Sequence, residues 1–184
     1  MAIELDKQRT PGAPVLKRSR IGEQFNGGLI RFDQRNMLDD DGKPIPKGDT
    51  GKYRQELVVH LMTLESTMSA GLGGELNVPA RGEIVRIILK GGGFGDWIDA
   101  KNAFDNDNRD LGRGLSVGDI ITIDSTHATR YKSTGDHADL GTFKDQAEVD
   151  DYLQNNAAYR SRAESLGWRG NLVMQPAPPE AAGC

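Results

Sequence analysis

Residues 83–90 read EIVRIILK, and this stretch decides the fold. Val85, Ile87 and Leu89 fall on one face of an extended chain, and Ile84, Arg86, Ile88 and Lys90 on the other. Strict alternation of this kind, rich in β-branched residues, marks a strand with one buried face. The second face mixes aliphatic and basic groups, which suits either a ligand-facing surface or a solvated sheet edge.

Working outward, Arg54–Leu64 repeats the pattern: Leu57, Val59 and Leu61 share one face, and Val58, His60 and Met62 the other. Upstream, Gln24–Phe32 is a further strand, with Gly27 and Gly28 inside it. Glycines there permit the sharp bend or bulge that closes a small barrel. Asn36–Gly51, with three consecutive aspartates, two prolines and several glycines, predicts a loop or open hairpin tip. Residues 65–81, rich in Gly, Ser and Ala, predict a flexible connection.

Downstream, Gly91, Gly92, Gly93 and Gly95 break the strand. Asp96 then predicts the cap of a short helix to Phe104, with Trp97, Ala100 and Phe104 on one side. A fourth strand spans Val117–Asp124 and a fifth, Ser125–Lys132, continues from it. Thr142 predicts the cap of a C-terminal helix from Phe143, on which Val149, Tyr152, Leu153, Ala157, Arg160, Ala163 and Leu166 recur at near-helical spacing up to Gly167, with a break or bend expected near Asn155 and Asn156.

The predicted fold is therefore mainly β. It is a five-stranded OB-fold-like barrel over residues 21–135, with a short helix between strands 3 and 4. An open sheet with a covering helix is the alternative. A flexible arm, 1–20, precedes the barrel; a helical extension, 136–170, and a disordered Pro/Ala-rich tail, 171–184, follow it.

Composition narrows the function. Hydrophobic residues make up 36% of 184, which implies one modest core among polar segments. No apolar run suits a membrane span or a leader peptide, so a cytoplasmic location without membrane contact is expected. The single cysteine, Cys184, permits neither an internal disulfide nor a cysteine metal cluster. No metal or cofactor is expected, and His60, His127 and His137 are scattered along the chain. The net charge is −4, but its distribution is uneven. Lys7, Arg9, Lys17, Arg18 and Arg20 load the arm, whereas Asp136, Asp139, Asp145, Glu148, Asp150 and Asp151 cluster after the barrel. That asymmetry fits a binder of polyanions that limits nonspecific adhesion, and equally two solvated surfaces.

Several chemistries are set aside. The Gly91–Gly95 cluster lacks the Gly-Lys-Ser/Thr of a phosphate loop and sits in no βαβ unit. Asp39–Asp41 and Asp105, Asp107 and Asp110 do not have EF-hand spacing. Serines and histidines form no recognisable nucleophile arrangement, so no enzyme is expected.

Unpaired nucleic acid requires aromatic platforms and basic groups along one groove. The basic candidates are Arg31, Arg35, Lys52, Arg54, Arg86, Lys90, Lys101, Arg130 and Lys132. The platforms are Phe32, Tyr53, Phe94, Trp97 and Tyr131, of which Phe32 and Trp97 better suit the core and Phe94, in a glycine loop, an exposed position. Tyr53 lies between Lys52 and Arg54, and Tyr131 between Arg130 and Lys132, which makes these two triplets the most suggestive local features.

The bent strand near Gly22 and Phe25, the Asp/Gly/Pro-rich loop, RQELVVHLMT at 54–63, EIVRIILKG at 83–91, the helix and LSVGDIITI at 115–123 form a pattern of spacings over residues 20–132. That pattern resembles the OB-fold single-stranded-DNA-binding proteins of bacteriophages, particularly those infecting actinobacteria. The resemblance implies single-stranded DNA binding without catalysis, in phage DNA replication or recombination, by an oligomer in the host cytoplasm. The chain departs from better-known single-strand binders at its end, PAPPEAAGC, which lacks an acidic tail closing on Pro-Phe. A phage virion or assembly protein, with arm and tail laid along neighbouring copies, is the alternative.

Overall fold

A computed structural model describes residues 12–135 and 138–178. The fold is mainly β, in two sheets. The larger has eight strands in the order β11-β7-β2-β3-β6-β1-β4-β5; the smaller has three, in the order β10-β8-β9. The strands are β1 Val15–Lys17, β2 Gln24–Asn36, β3 Gln55–Ser66, β4 Ser69–Leu72, β5 Glu75–Asn77, β6 Ile84–Lys90, β7 Ile120–Asp124, β8 His127–Lys132, β9 Asp139–Phe143, β10 Glu164–Arg169 and β11 Leu172–Gln175. The helices are α1 Gly92–Asp107, α2 Gln146–Asn155 and the single turn α3 Ala157–Arg160.

The centre of the large sheet follows from alternation. β2, β3 and β6 form an antiparallel meander in which Val59 pairs with Phe32 on one side and Ile87 on the other. Leu57, Val59 and Leu61 of β3, with Val85 and Ile87 of β6, are buried together with Phe25, Leu29, Ile121, Trp97 and Phe104. α1 closes this core from one side by burying Trp97 and Phe104. It starts directly after Gly91, whose φ of 50° and ψ of −117° turn the chain out of β6. The helix thus begins earlier than Asp96 and carries no side-chain cap. β2 shifts register between Asn26 and Gly27 and again between Leu29 and Arg31, so the glycine-rich strand is irregular as expected. Gly27 is required there for space, because a Cβ would lie 2.6 Å from the Phe25 ring.

The expected closed five-stranded barrel is not formed. β7 pairs with β2, as a fourth strand should, but its second partner is β11 rather than the segment that follows it. β8 leaves for the small sheet, so Ser125–Lys132 is not a fifth barrel strand. The large sheet stays open between β11 and β6, and α1 packs across both. Met174 of β11 joins the core there, while Leu16 of β1 seals the far edge of β6. Arg18 spans the opening: its Nε donates to the carbonyl of Asp124 at 2.7 Å.

Four further expectations are corrected. Residues 171–178 of the predicted disordered tail include β11, because Leu172 and Met174 supply apolar surface that the open sheet needs. The predicted C-terminal helix breaks at Asn155 and Asn156 as expected, but it starts at Gln146 behind the cap Asp145, which accepts from Ala147 N at 2.9 Å, and its predicted last part, Glu164–Arg169, pairs instead as a strand with β8. The predicted connection at 65–81 contains β4 and β5, and the end of the predicted arm contains β1. The remainder of the arm, 1–11, and of the tail, 179–184, lies outside the described residues, as do Asp136 and His137. Among the described residues, no helix is long and apolar enough to cross a membrane.

Candidate nucleic-acid interface

Cross-strand pairing on the meander sets out an outer face, turned away from α1, in rows. Partners in one row project to the same side. Arg35, Glu56 and Lys90 form one row, Asp33, Val58 and Ile88 the next, and Arg31, His60 and Arg86 the third; Met62 pairs with Ile84 beyond them. The expected division of β6 into an apolar and an aliphatic–basic face is therefore correct. It brings four of the expected binding residues, Arg31, Arg35, Arg86 and Lys90, onto one surface.

The two basic rows differ in charge balance. Glu56 is buried and neutralises its own row: Arg35 Nε lies 2.9 Å from its Oε1 and Lys90 Nζ 3.8 Å from its Oε2. The third row holds no carboxylate. Burial pushes the His60 imidazole below its usual value, and the flanking Arg31 and Arg86 push it the same way against a weaker opposing pull from Asp33.

Round the end of the sheet from Lys90, on the α1 side where Gln34 and Gln55 project with Leu57, lies a groove of about 640 Å³ lined by Tyr53, Phe94, Lys47, Arg54, Lys90 and Met37, among others. Its walls come from Gln34 of β2, Gln55 of β3 and Lys90 of β6, from Gly91, and from residues 37–54. That segment is an ordered arm, not an open tip: Arg54 N donates to Ile45 O at 2.9 Å, and Met37 N to Arg54 O at 2.8 Å. Pro46 and Tyr53 form a bridge that fixes the tyrosine, which stays 47% exposed. Phe94 reaches the same groove from the first turn of α1. Lys47, which sequence reasoning passed over, enters only because the arm folds back; its place between two prolines and a glycine gave no signal. Lys52 is exposed on the same arm.

The remaining expected residues are placed elsewhere. Trp97 is only 3% exposed and packs in the core, its ring 5.3 Å from that of Phe32. It offers no platform for a base. Lys101 forms an ion pair with Asp105 along α1. Arg130, Tyr131 and Lys132 lie on β8, in the small sheet. Arg130 Nη2 lies 2.9 Å from Glu164 Oε1 and its guanidinium stacks 5.1 Å over the Tyr152 ring. Tyr131 packs against Gly167, where a Cβ would lie 2.8 Å from its ring. The neighbouring cavity on α2 and β9 is lined by Glu148 and Asp151, which repel a polyanion. Arg130 and Tyr131 are thus engaged by Glu164, Tyr152 and Gly167, and the single trough expected to join Arg86 and Lys90 with Arg130 and Tyr131 is not formed by the described residues.

No protein-family model, curated protein or solved structure matches the chain.

Proposed function

We propose that the chain binds single-stranded DNA without catalysis, along the outer face of β2, β3 and β6 and into the Tyr53–Phe94 groove. The strand order β2-β3-β6, α1, β7 and β11 is, on this reading, an open relative of the OB arrangement, with β8 to β10 inserted before its last strand. One observation carries the proposal: the exposed Tyr53 ring and the half-buried Phe94 ring, which also packs against the core, share a groove with Lys47, Arg54 and Lys90. A stacked base contributes ~1–3 kcal/mol, and the surrounding cations supply the salt-dependent attraction for phosphates. A groove of this size lies within the usual range for small-ligand sites, roughly 300–1,000 Å³, so a base fits it. The acidic cavity on α2 and β9 confines the polyanion to the large sheet. A role in phage DNA replication or recombination, as an oligomer, belongs to the same proposal.

A second reading draws on the free edge of the large sheet. β5 ends the strand order, and Leu72, Leu76 and Val78 around it are exposed. An unprotected apolar edge suits assembly with further copies, as in a virion or assembly protein.

Fluorescence anisotropy of labelled oligo-dT separates the two. The first reading gives binding that weakens steeply between two salt concentrations and exceeds that for a duplex. No binding at low salt, with rings or shells in the electron microscope, gives the second.

A further inference from the structure

The third row of the outer face has features that stacking does not use. We propose that Arg31, His60 and Arg86 hold one backbone phosphate of the bound strand and that this contact is coupled to uptake of a proton by His60. The inference rests on the single-strand reading above and adds a site and a linkage to it.

The three residues are register neighbours on β2, β3 and β6. Adjacent strands lie about 4.8 Å apart, so both arginines flank the imidazole within reach of one small anion. The row has cationic capacity that the described residues leave uncompensated. Glu56 satisfies Arg35 and Lys90 two rows away, whereas neither Arg31 nor Arg86 has an ion pair among the described residues. Asp33, in the intervening row, is the one acid acting on His60 among the described residues. The segment lying over Arg86, Gly12–Pro14, carries no charge; its backbone passes so close that a Cβ at Gly12 would lie 2.7 Å from the guanidinium carbon.

Two polar atoms of the row are orphaned. His60 Nδ1 and Arg86 Nε are both shut off from solvent with no hydrogen-bond partner among the described residues. A buried Nδ1 without a donor or acceptor favours the neutral ring with its hydrogen on Nε2, which leaves an N–H to donate to an anion. Two guanidiniums and burial oppose a charge on this ring, so His60 is neutral at pH 7. A phosphate in the row reverses the local field. It attracts the proton that the arginines repel, and linkage then requires affinity to rise as pH falls through the titration of the bound form. Exposed Met62 and Ile84 beyond the row give sugars or bases an apolar surface beside the held phosphate.

NMR titration of the His60 ring, assigned with His60→Gln, tests this in the full chain, free and with oligo-dT. The His60 pKa is expected to rise by about one unit on binding. Oligo-dT affinity is expected to increase several-fold from pH 7.5 to 5.5, and His60→Gln to bind at pH 7.5 yet lose that increase. Arg31→Gln is expected to bind about 5–10-fold more weakly at neutral pH, with a salt slope smaller by about one. If oligo-dT binds and His60 titrates unchanged, the inference is overturned while the single-strand reading stands. If inorganic phosphate moves His60 in a protein that binds no oligonucleotide, the row is a small-anion site and both the backbone assignment and the single-strand reading are overturned.

Discussion

Arg130 and Glu164 face each other across β8 and β10, the guanidinium Nη2 lying 2.9 Å from Oε1 and 3.0 Å from Oε2. The Tyr152 hydroxyl donates to the same carboxylate at 2.9 Å, so one acid ties α2 to the small sheet. Arg130→Ala is expected to lower the thermal midpoint and to leave oligo-dT affinity unchanged. Calorimetry and anisotropy on the same variant check both halves. The charge contacts hold the Glu164 carboxyl below its usual range despite burial. Its contribution to stability is therefore present above the ordinary carboxylate value and lost as pH falls through the lower folded value.

Tyr152 gives an alkaline counterpart. Burial, reinforced by the Glu164 charge, pushes its phenol up to about 12. A folded value above the unfolded one favours the native state below about 10 and withdraws that support between about 10 and 12. Denaturant unfolding should show a loss over that window in the parent protein, and a smaller one in Tyr152→Phe.

Met174 reports on the last strand. Its side chain is 6% exposed within the core between β7 and α1. Met174→Ala is expected to cost about 2–3 kcal/mol of unfolding free energy. A change within experimental error in urea titrations would mean that 172–175 does not complete the sheet.

Asp119 accepts from both terminal nitrogens of Arg113, from Ser116 N and from Ala177 N. The Arg113 and backbone donors hold its carboxyl below the usual range, although burial alone would raise it. The anionic form is thus the stabilising one, and its support fades as pH falls through that lowered value. Asp119→Asn should be less stable at neutral pH and should show a weaker acid dependence between pH 5 and pH 2, measured by circular dichroism.

Tyr53→Ala isolates stacking from folding. The ring is 47% exposed, so stability should barely change, while loss of one stacked base should weaken oligo-dT binding by about 5–100-fold. Trp97→Ala should do the reverse and destabilise the core before it affects any contact with DNA.

Some of this was legible in the residues and some was not. The faces of β3 and β6 follow from alternation alone, so Leu57, Val59 and Leu61 fall in the core and Arg86 and Lys90 outside it. β10 had no such signal. Glu164–Arg169 carries weak apolar character, and its pairing with β8 depends on a turn at Arg162, whose φ of 63° occurs without a glycine to announce it. β11 was hidden by the Pro/Ala composition around it, although Leu172 and Met174 sit two apart. The site divided in the same way. Tyr53 and Phe94 meet because an arm folds back on a helix start, whereas Tyr131 packs against Gly167 and its neighbour Arg130 is held by Glu164.

The central claim is that unpaired DNA lies on the large sheet and in its aromatic groove. Amide chemical-shift mapping of the full chain with oligo-dT tests it directly. The expected perturbations fall on Arg31, His60, Arg86, Lys90, Tyr53 and Phe94, with β8 to β10 silent. Shifts confined to β8 to β10, or none at low salt, would contradict it.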